Sequence, residues 1–143
     1  DLAGGYTLTI PEDTMYQSKE YLLNRIMVLL GGRAAEEIVF GKDKITTGAY
    51  SDLKHSTNMI NNMITSYGMG ESLGLLTLEE ISSTSSSIKD TIVEECKSTL
   101  DDLYSKTKDI LIKNRDQLER LASELLKEET LYEDKLKDIL DLN

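Results

Sequence analysis

The chain has one cysteine, one histidine and one proline in 143 residues, and each scarcity closes off a class of protein. Cys96 cannot close an intramolecular disulfide, and it falls among the apolar positions of an expected helix. It therefore reads as a small core residue of a fold made for a reducing, cytosolic compartment. With His55 as the only histidine, a catalytic zinc site complete within the chain is not expected, because such sites usually take three protein ligands and no second His or Cys pair is present. No segment approaches the ~20 apolar residues that a membrane helix needs, and the acidic start at Asp1 does not resemble a signal peptide. Basic residues are also few: 16 Lys and Arg stand against 26 Asp and Glu, giving a formal net charge of −10, and they are scattered instead of striped. That balance argues against nucleic acid as a partner.

The length suits one globular unit with a genuine core and is too short for two ordinary domains. Tyr6-Thr7-Leu8-Thr9-Ile10 alternates with an aromatic and β-branched bias, so a short strand is expected, ended by Pro11. From Ser18, an expected N-cap, Leu22, Leu23, Ile26, Met27 and Leu30 recur at spacings of three and four and continue through Ala34 and Ala35 to Ile38. The pattern predicts a helix, broken or closely packed at Gly31-Gly32. After a loop from Gly41 to Tyr50, a second helix is expected, capped by Ser51. It carries Leu53, Met59, Ile60, Met63, Ile64 and Tyr67 toward the core and stops at Gly68.

Residues 77–88 hold several serines without periodicity and read as a loop between two halves, 1–76 and 88–143. Ile88, Ile92, Cys96, Leu100, Leu103, Thr107 and Ile110 then trace the apolar face of a long helix. Leu118, Leu121, Ala122 and Leu125 mark another, and Thr130 with Glu133 fits a capping box before a last short one. The expected class is mainly α: a bundle of four to five helices with one short N-terminal edge strand.

Several residues could carry chemistry, each with a plainer alternative. Asp52 in the first turn of its helix suits the exposed amides and the helix dipole, and capping is its ordinary role. The rival role is a metal ligand, since a carboxylate fixed at a helix start beside a Gly-containing loop can be aimed at an ion. His55 lies one turn further on, so the two side chains could share a face. A two-ligand site is discounted on ligand number, which leaves His55 solvated or capping. Gly31-Gly32 and Ala34-Ala35 are not followed by the Lys-Ser or Lys-Thr of a phosphate loop, so close helix packing explains them better. Glu36 and Glu37 point about 100° apart on a helix, so at most one can meet a given reacting group. Met59, Met63 and Met69 read as core filler.

Three blocks now carry a resemblance: Gly31-Gly32-Arg33-Ala34-Ala35-Glu36-Glu37-Ile38-Val39-Phe40-Gly41, Thr46-Thr47-Gly48-Ala49-Tyr50-Ser51-Asp52-Leu53-Lys54, and Met63-Ile64-Thr65-Ser66-Tyr67-Gly68-Met69. Together they resemble the peptidase domain of the FtsH family, membrane-anchored, ATP-dependent zinc metalloproteases. The likeness extends to Gly5 through Glu12 upstream and to Leu73-Gly74 and Glu129-Thr130-Leu131 downstream, and it covers nearly the whole chain. Ser51 departs from the family's usual Asn, and Gly70 from a common Ser or Asp.

The resemblance implies that zinc is held by two histidines of an H-E-x-x-H helix and by Asp52, with the Glu of that motif as general base. Neither those histidines nor that Glu is in the sequence, since in the family the motif lies shortly upstream of the strand matching Gly5 to Ile10. The chain is therefore expected to be a truncated C-terminal part of the peptidase domain, with no catalytic residue of its own, little zinc affinity and no activity alone. Glu36 is implied to support the metal-binding histidines. Tyr6, Thr7, Leu8, Thr9 and Ile10 are implied to form the cleft strand on which an extended polypeptide substrate adds by backbone pairing. Also implied for the parent protein are ATP and magnesium in a missing ATPase module, a homo-hexameric ring, and a missing N-terminal membrane anchor. The protease would lie on the cytoplasmic side if the source is bacterial, while the piece itself is expected to be soluble. The competing expectation is a non-catalytic helical scaffold or oligomerisation module that kept the fold and lost the chemistry.

Overall fold

The computed structural model describes residues 16–78, 85–120, 123 and 127. Among these residues there is no strand, and the fold is mainly α. Helix α1 spans Lys19–Phe40, α2 spans Tyr50–Thr65 and α3 spans Ser86–Lys113. Two 3-10 turns, Lys42–Lys44 and Thr47–Ala49, join α1 to α2. The expected strand at Tyr6 to Ile10, the apolar positions Leu121, Ala122 and Leu125, and the capping box at Thr130 and Glu133 lie outside the described residues.

Helix α1 starts where the sequence predicts, with the Ser18 hydroxyl accepting from the Tyr21 amide at 3.0 Å. It runs unbroken through Gly31-Gly32, which corrects the expected break. The close packing expected there is also absent among the described residues: a Cβ built on either glycine meets no atom within 4 Å. The tight position is Ala34, which is fully buried. Each mid-helix glycine costs about 1 kcal/mol relative to alanine, less than the burial of Leu22, Ile26 and Leu30 on the same helix at about 1.5–3 kcal/mol each. The helix ends at Gly41, whose positive φ of 92° suits glycine and whose amide bonds to the Glu37 carbonyl at 2.9 Å.

Helix α2 corrects a second expectation. Its N-cap is Ala49, which makes no side-chain cap bond, and Ser51 is already inside the helix. The cap lies earlier, because Thr46 accepts from the Gly48 amide and starts the 3-10 turn that feeds directly into α2. At the other end Gly68, at φ 63°, turns the chain and the Met69 amide closes on the Met63 carbonyl at 2.9 Å. Tyr67 falls beyond the helix and points outward, 57 % exposed, instead of joining the core.

Helix α3 begins inside the stretch expected to be a loop. Ser85 caps it by accepting from the Ile88 amide at 3.3 Å, so Ser86, Ser87 and Ile88 are helical. Ile92, Leu103 and Thr107 are buried as expected, but Ile110 is 53 % exposed. Cys96 is half-buried against the core. Backbone helix resumes at 115–120, and Leu118 is buried.

One core joins all three helices: Leu22, Ile26 and Leu30 of α1, Ile60, Met63 and Ile64 of α2, and Ile92 and Leu103 of α3. Met59 and Met69 pack at its margin, in keeping with the methionines as filler. Buried hydroxyls on Thr65 and Thr107 bond back to the carbonyls of Asn61 and Leu103, each at 2.7 Å, so neither is left unsatisfied. The ion pairs along the α3 surface are exposed and contribute little beside this core. No helix among the described residues is long and apolar enough to cross a membrane.

Candidate functional site

The end of α1, the 3-10 turns and the start of α2 form one connected corner. Asp52 lies in the first turn of α2 and is half-exposed. Its side chain makes no hydrogen bond or ion pair among the described residues. A carboxylate so placed is fixed in position by its helix and open at its oxygens. His55 is fully on the outside of α2, and no group of three His, Cys, Asp or Glu that could hold a metal occurs among the described residues. Among the described residues the Asp52 carboxylate thus has no partner, and no group of possible ligands large enough to hold a metal stands beside it.

The adjacent glutamates have separate tasks. Glu36 turns toward the turn at 41–49: its carboxylate accepts from the Thr46 amide at 3.3 Å and from the Thr46 hydroxyl at 2.9 Å. Thr46 Oγ1 in turn accepts from the Gly48 amide at 3.3 Å. Glu37 faces α3, where it accepts from the Tyr104 hydroxyl at 3.0 Å and from Lys108 Nζ at 2.9 Å. The Lys108 hydrogen bond holds the Glu37 carboxyl below the usual carboxylate range, against the opposing effect of burial and with help from Tyr104. Burial, followed by the Glu37 carboxylate, pushes the Tyr104 hydroxyl up to about 12. Lys108 also sits over the Tyr104 ring, 5.1 Å from its centre.

A second carboxylate anchor went unseen in the sequence. Glu95 of α3 accepts from the amides of Glu71 and Ser72 at 2.7 and 2.8 Å and ties down the loop at 66–78. Burial alone would raise its carboxyl, but the hydrogen bonds from the Glu71 and Ser72 amides outweigh it and hold the group low. A cavity of about 350 Å³ lies beside this loop, lined among others by Lys19, Leu23, Met63, Glu95 and Leu103. Neither Asp52 nor Glu36 lines it, so it is separate from the corner that holds Asp52. The substrate-strand positions Tyr6, Thr7, Leu8, Thr9 and Ile10 lie outside the described residues.

Comparison with known proteins agrees with the motif reading. The chain is 38 % identical over 154 residues to the ATP-dependent zinc metalloprotease FtsH of Bacillus subtilis, covering 97 % of this chain and 24 % of that protein. It is 42 % identical over 144 residues to the ATP-dependent zinc metalloprotease YME1L of Drosophila melanogaster, covering 96 % of this chain and 20 % of that protein. The FtsH 1 protein of Alkaliphilus metalliredigens, also an ATP-dependent zinc metalloprotease, is 37 % identical over 137 residues, 96 % of this chain and 23 % of its own length. The chain thus spans about a quarter or less of the curated relatives it matches. Residues 1–139, which include the α1 end, Thr46 and Asp52, match the family description throughout, and the chain belongs to peptidase family M41.

Proposed function

We propose that this chain is the C-terminal portion of an FtsH-type peptidase domain and that it supplies one zinc ligand, Asp52, to a metalloendopeptidase. The observation that carries the reading is the open Asp52 carboxylate in the first turn of α2, inside a match to peptidase family M41 that covers residues 1–139. Zinc, when bound, lowers the pKa of its water toward ~7 and so supplies hydroxide at neutral pH. The chain's own contribution is positional: α2 holds the Asp52 oxygens at a helix start, where they need no rearrangement to meet an ion. The segment from Tyr6 to Ile10 offers backbone groups to an extended polypeptide, a mode of recognition tolerant of side-chain identity.

The relatives' names, all ATP-dependent zinc metalloproteases, support further parts of the proposal. The parent protein couples ATP and magnesium in an ATPase module to hydrolysis of unfolded or membrane-derived polypeptides. It works as a homo-hexamer anchored in the membrane, with the peptidase on the cytoplasmic side in a bacterium. The remaining zinc ligands and the general base come from an H-E-x-x-H segment outside this chain, which alone does not cleave peptides.

The test is Asp52→Ala in the full-length protein. Proteolysis of an unfolded polypeptide is expected to fall to background while ATP hydrolysis stays within about twofold, since the substitution removes a donor from the metal and leaves the core untouched. Proteolysis retained at the parental rate would refute the assignment of Asp52 and leave the helical scaffold reading.

A further inference from the structure

Residues 68–74 form a small loop whose ends meet. Gly68 and Gly74 both take a positive φ, 63° and 55°, and a Cβ built on Gly68 would stand 3.6 Å from the Gly74 carbonyl oxygen. Glycines at the two ends of a compact surface loop are places where the chain can absorb a change in φ and ψ, as hinges do. Between them Met69 and Leu73 rest on the margin of the core. Met69, Gly70 and Glu71 also line the 350 Å³ cavity, together with the buried Met63 and Ile64 of α2 and Leu103 of α3.

The middle of this loop is fastened from outside. Glu95 reaches across from α3, its Oε2 accepting from the Glu71 amide at 2.7 Å and its Oε1 from the Ser72 amide at 2.8 Å. Its carboxylate fills the space where residue 70 would carry a side chain: a Cβ there would lie 2.8 Å from Ile64 Cγ1 and 2.9 and 3.2 Å from the two Glu95 oxygens. Gly70 is not among the glycines of positive φ, so an alanine would be strained by those neighbours and not by its own backbone. Ile64 is packed in the core at 2 % exposure. Either Glu95 must then leave or the loop must lift, and both break the two amide bonds.

We propose that residues 68–74 are a hinged strap across the cavity, and that Gly70 and Glu95 together are its latch. The strap lies down because the Glu95 carboxylate takes the place that a side chain at position 70 would occupy. Opening swings Met69 to Glu71 away and uncovers Met63, which is 3 % exposed when the strap is closed. The latch is independent of the reading of Asp52 as a metal ligand.

The experiment compares the full-length protein with Gly70→Ala, Glu95→Ala and the double variant. Hydrogen exchange resolved to single amides by mass spectrometry reads the latch. Oxidation of Met63 by dilute hydrogen peroxide reads the cavity, with Met59, which does not line it, as the internal reference. Each single variant is expected to speed exchange at the Glu71 and Ser72 amides about tenfold and to raise Met63 oxidation relative to Met59 by a similar factor. Exchange at Ile26 and Ile60 should stay at the parental rate, because the core remains closed. The double variant should match the worse single at the two amides, since both changes undo one latch. Parental exchange in Gly70→Ala, or additive losses in the double, would overturn the pairing of Gly70 with Glu95. Freed amides with Met63 oxidation unchanged would overturn the strap over the cavity. Exchange at Ile26 and Ile60 rising as much as at Glu71 and Ser72 would overturn it as well, by showing that the loop opens only when the whole core does.

Discussion

Two loops in this fold are each held by one carboxylate, and they are held differently. The loop at 66–78 is clamped by Glu95 through two backbone amides at 2.7 and 2.8 Å. Its Gly70 lies so close that an added Cβ would come within 2.8 Å of the buried Ile64 side chain and 2.9 Å of the Glu95 carboxylate. The turn at 41–49 is held by Glu36 through one amide at 3.3 Å and one hydroxyl at 2.9 Å, both on the exposed side. Charge-assisted bonds that are short and partly shielded from water are the stronger kind. The loop at 66–78 is thus the more tightly fastened, and the turn that leads into α2 the more loosely.

That contrast predicts unequal costs. Glu95→Ala leaves the part-buried Ser72 amide and the exposed Glu71 amide without their acceptor and should lower unfolding stability by about 1–2 kcal/mol, read by urea denaturation. Glu36→Ala should lower it by less than about 1 kcal/mol, because water reaches the groups it leaves behind. Equal losses would break the comparison.

Acidification should sharpen it by a smaller effect. Folding holds the Glu95 and Glu37 carboxyls below the ordinary glutamate value of 4.5. A carboxyl depressed by folding adds stability that is fully present above its unfolded pKa and is lost as pH falls through its folded pKa. The urea midpoint should therefore hold steady from pH 7 to about 5 and decline below the unfolded value near 4.5. Glu95→Gln should flatten that decline, and an unchanged slope would show that the clamp contributes nothing through its charge.

The sequence made local features legible and tertiary ones opaque. Ser18 was readable as a cap because its partner is three residues away, and the apolar spacing of α1 and α3 exposed the core positions from Leu22 to Leu103. The start of α2 was misplaced at Ser51 because the true anchor, Thr46, belongs to a 3-10 turn whose sequence carries no periodic signal. Gly31-Gly32 looked like a packing site, yet small residues show only where packing is permitted, and the contact formed at Ala34. Tyr67 and Ile110 continued helical patterns on paper, yet both are exposed among the described residues. The clamps from Glu95 to Glu71 and Ser72, and from Glu37 to Tyr104 and Lys108, join residues 23 to 71 positions apart, which no local spacing could announce. At the candidate site, motif likeness singled out Asp52 and Glu36, while the bond that ties Glu36 to Thr46 emerged only from the geometry.

The chain is proposed to carry one zinc ligand of a set completed elsewhere. Calorimetric titration of the 143-residue chain with zinc tests it most directly. No stoichiometric tight binding is expected, with at most weak heat from scattered carboxylates. One zinc bound tightly per chain, and lost in Asp52→Ala, would contradict it by showing that the chain completes the site from its own residues.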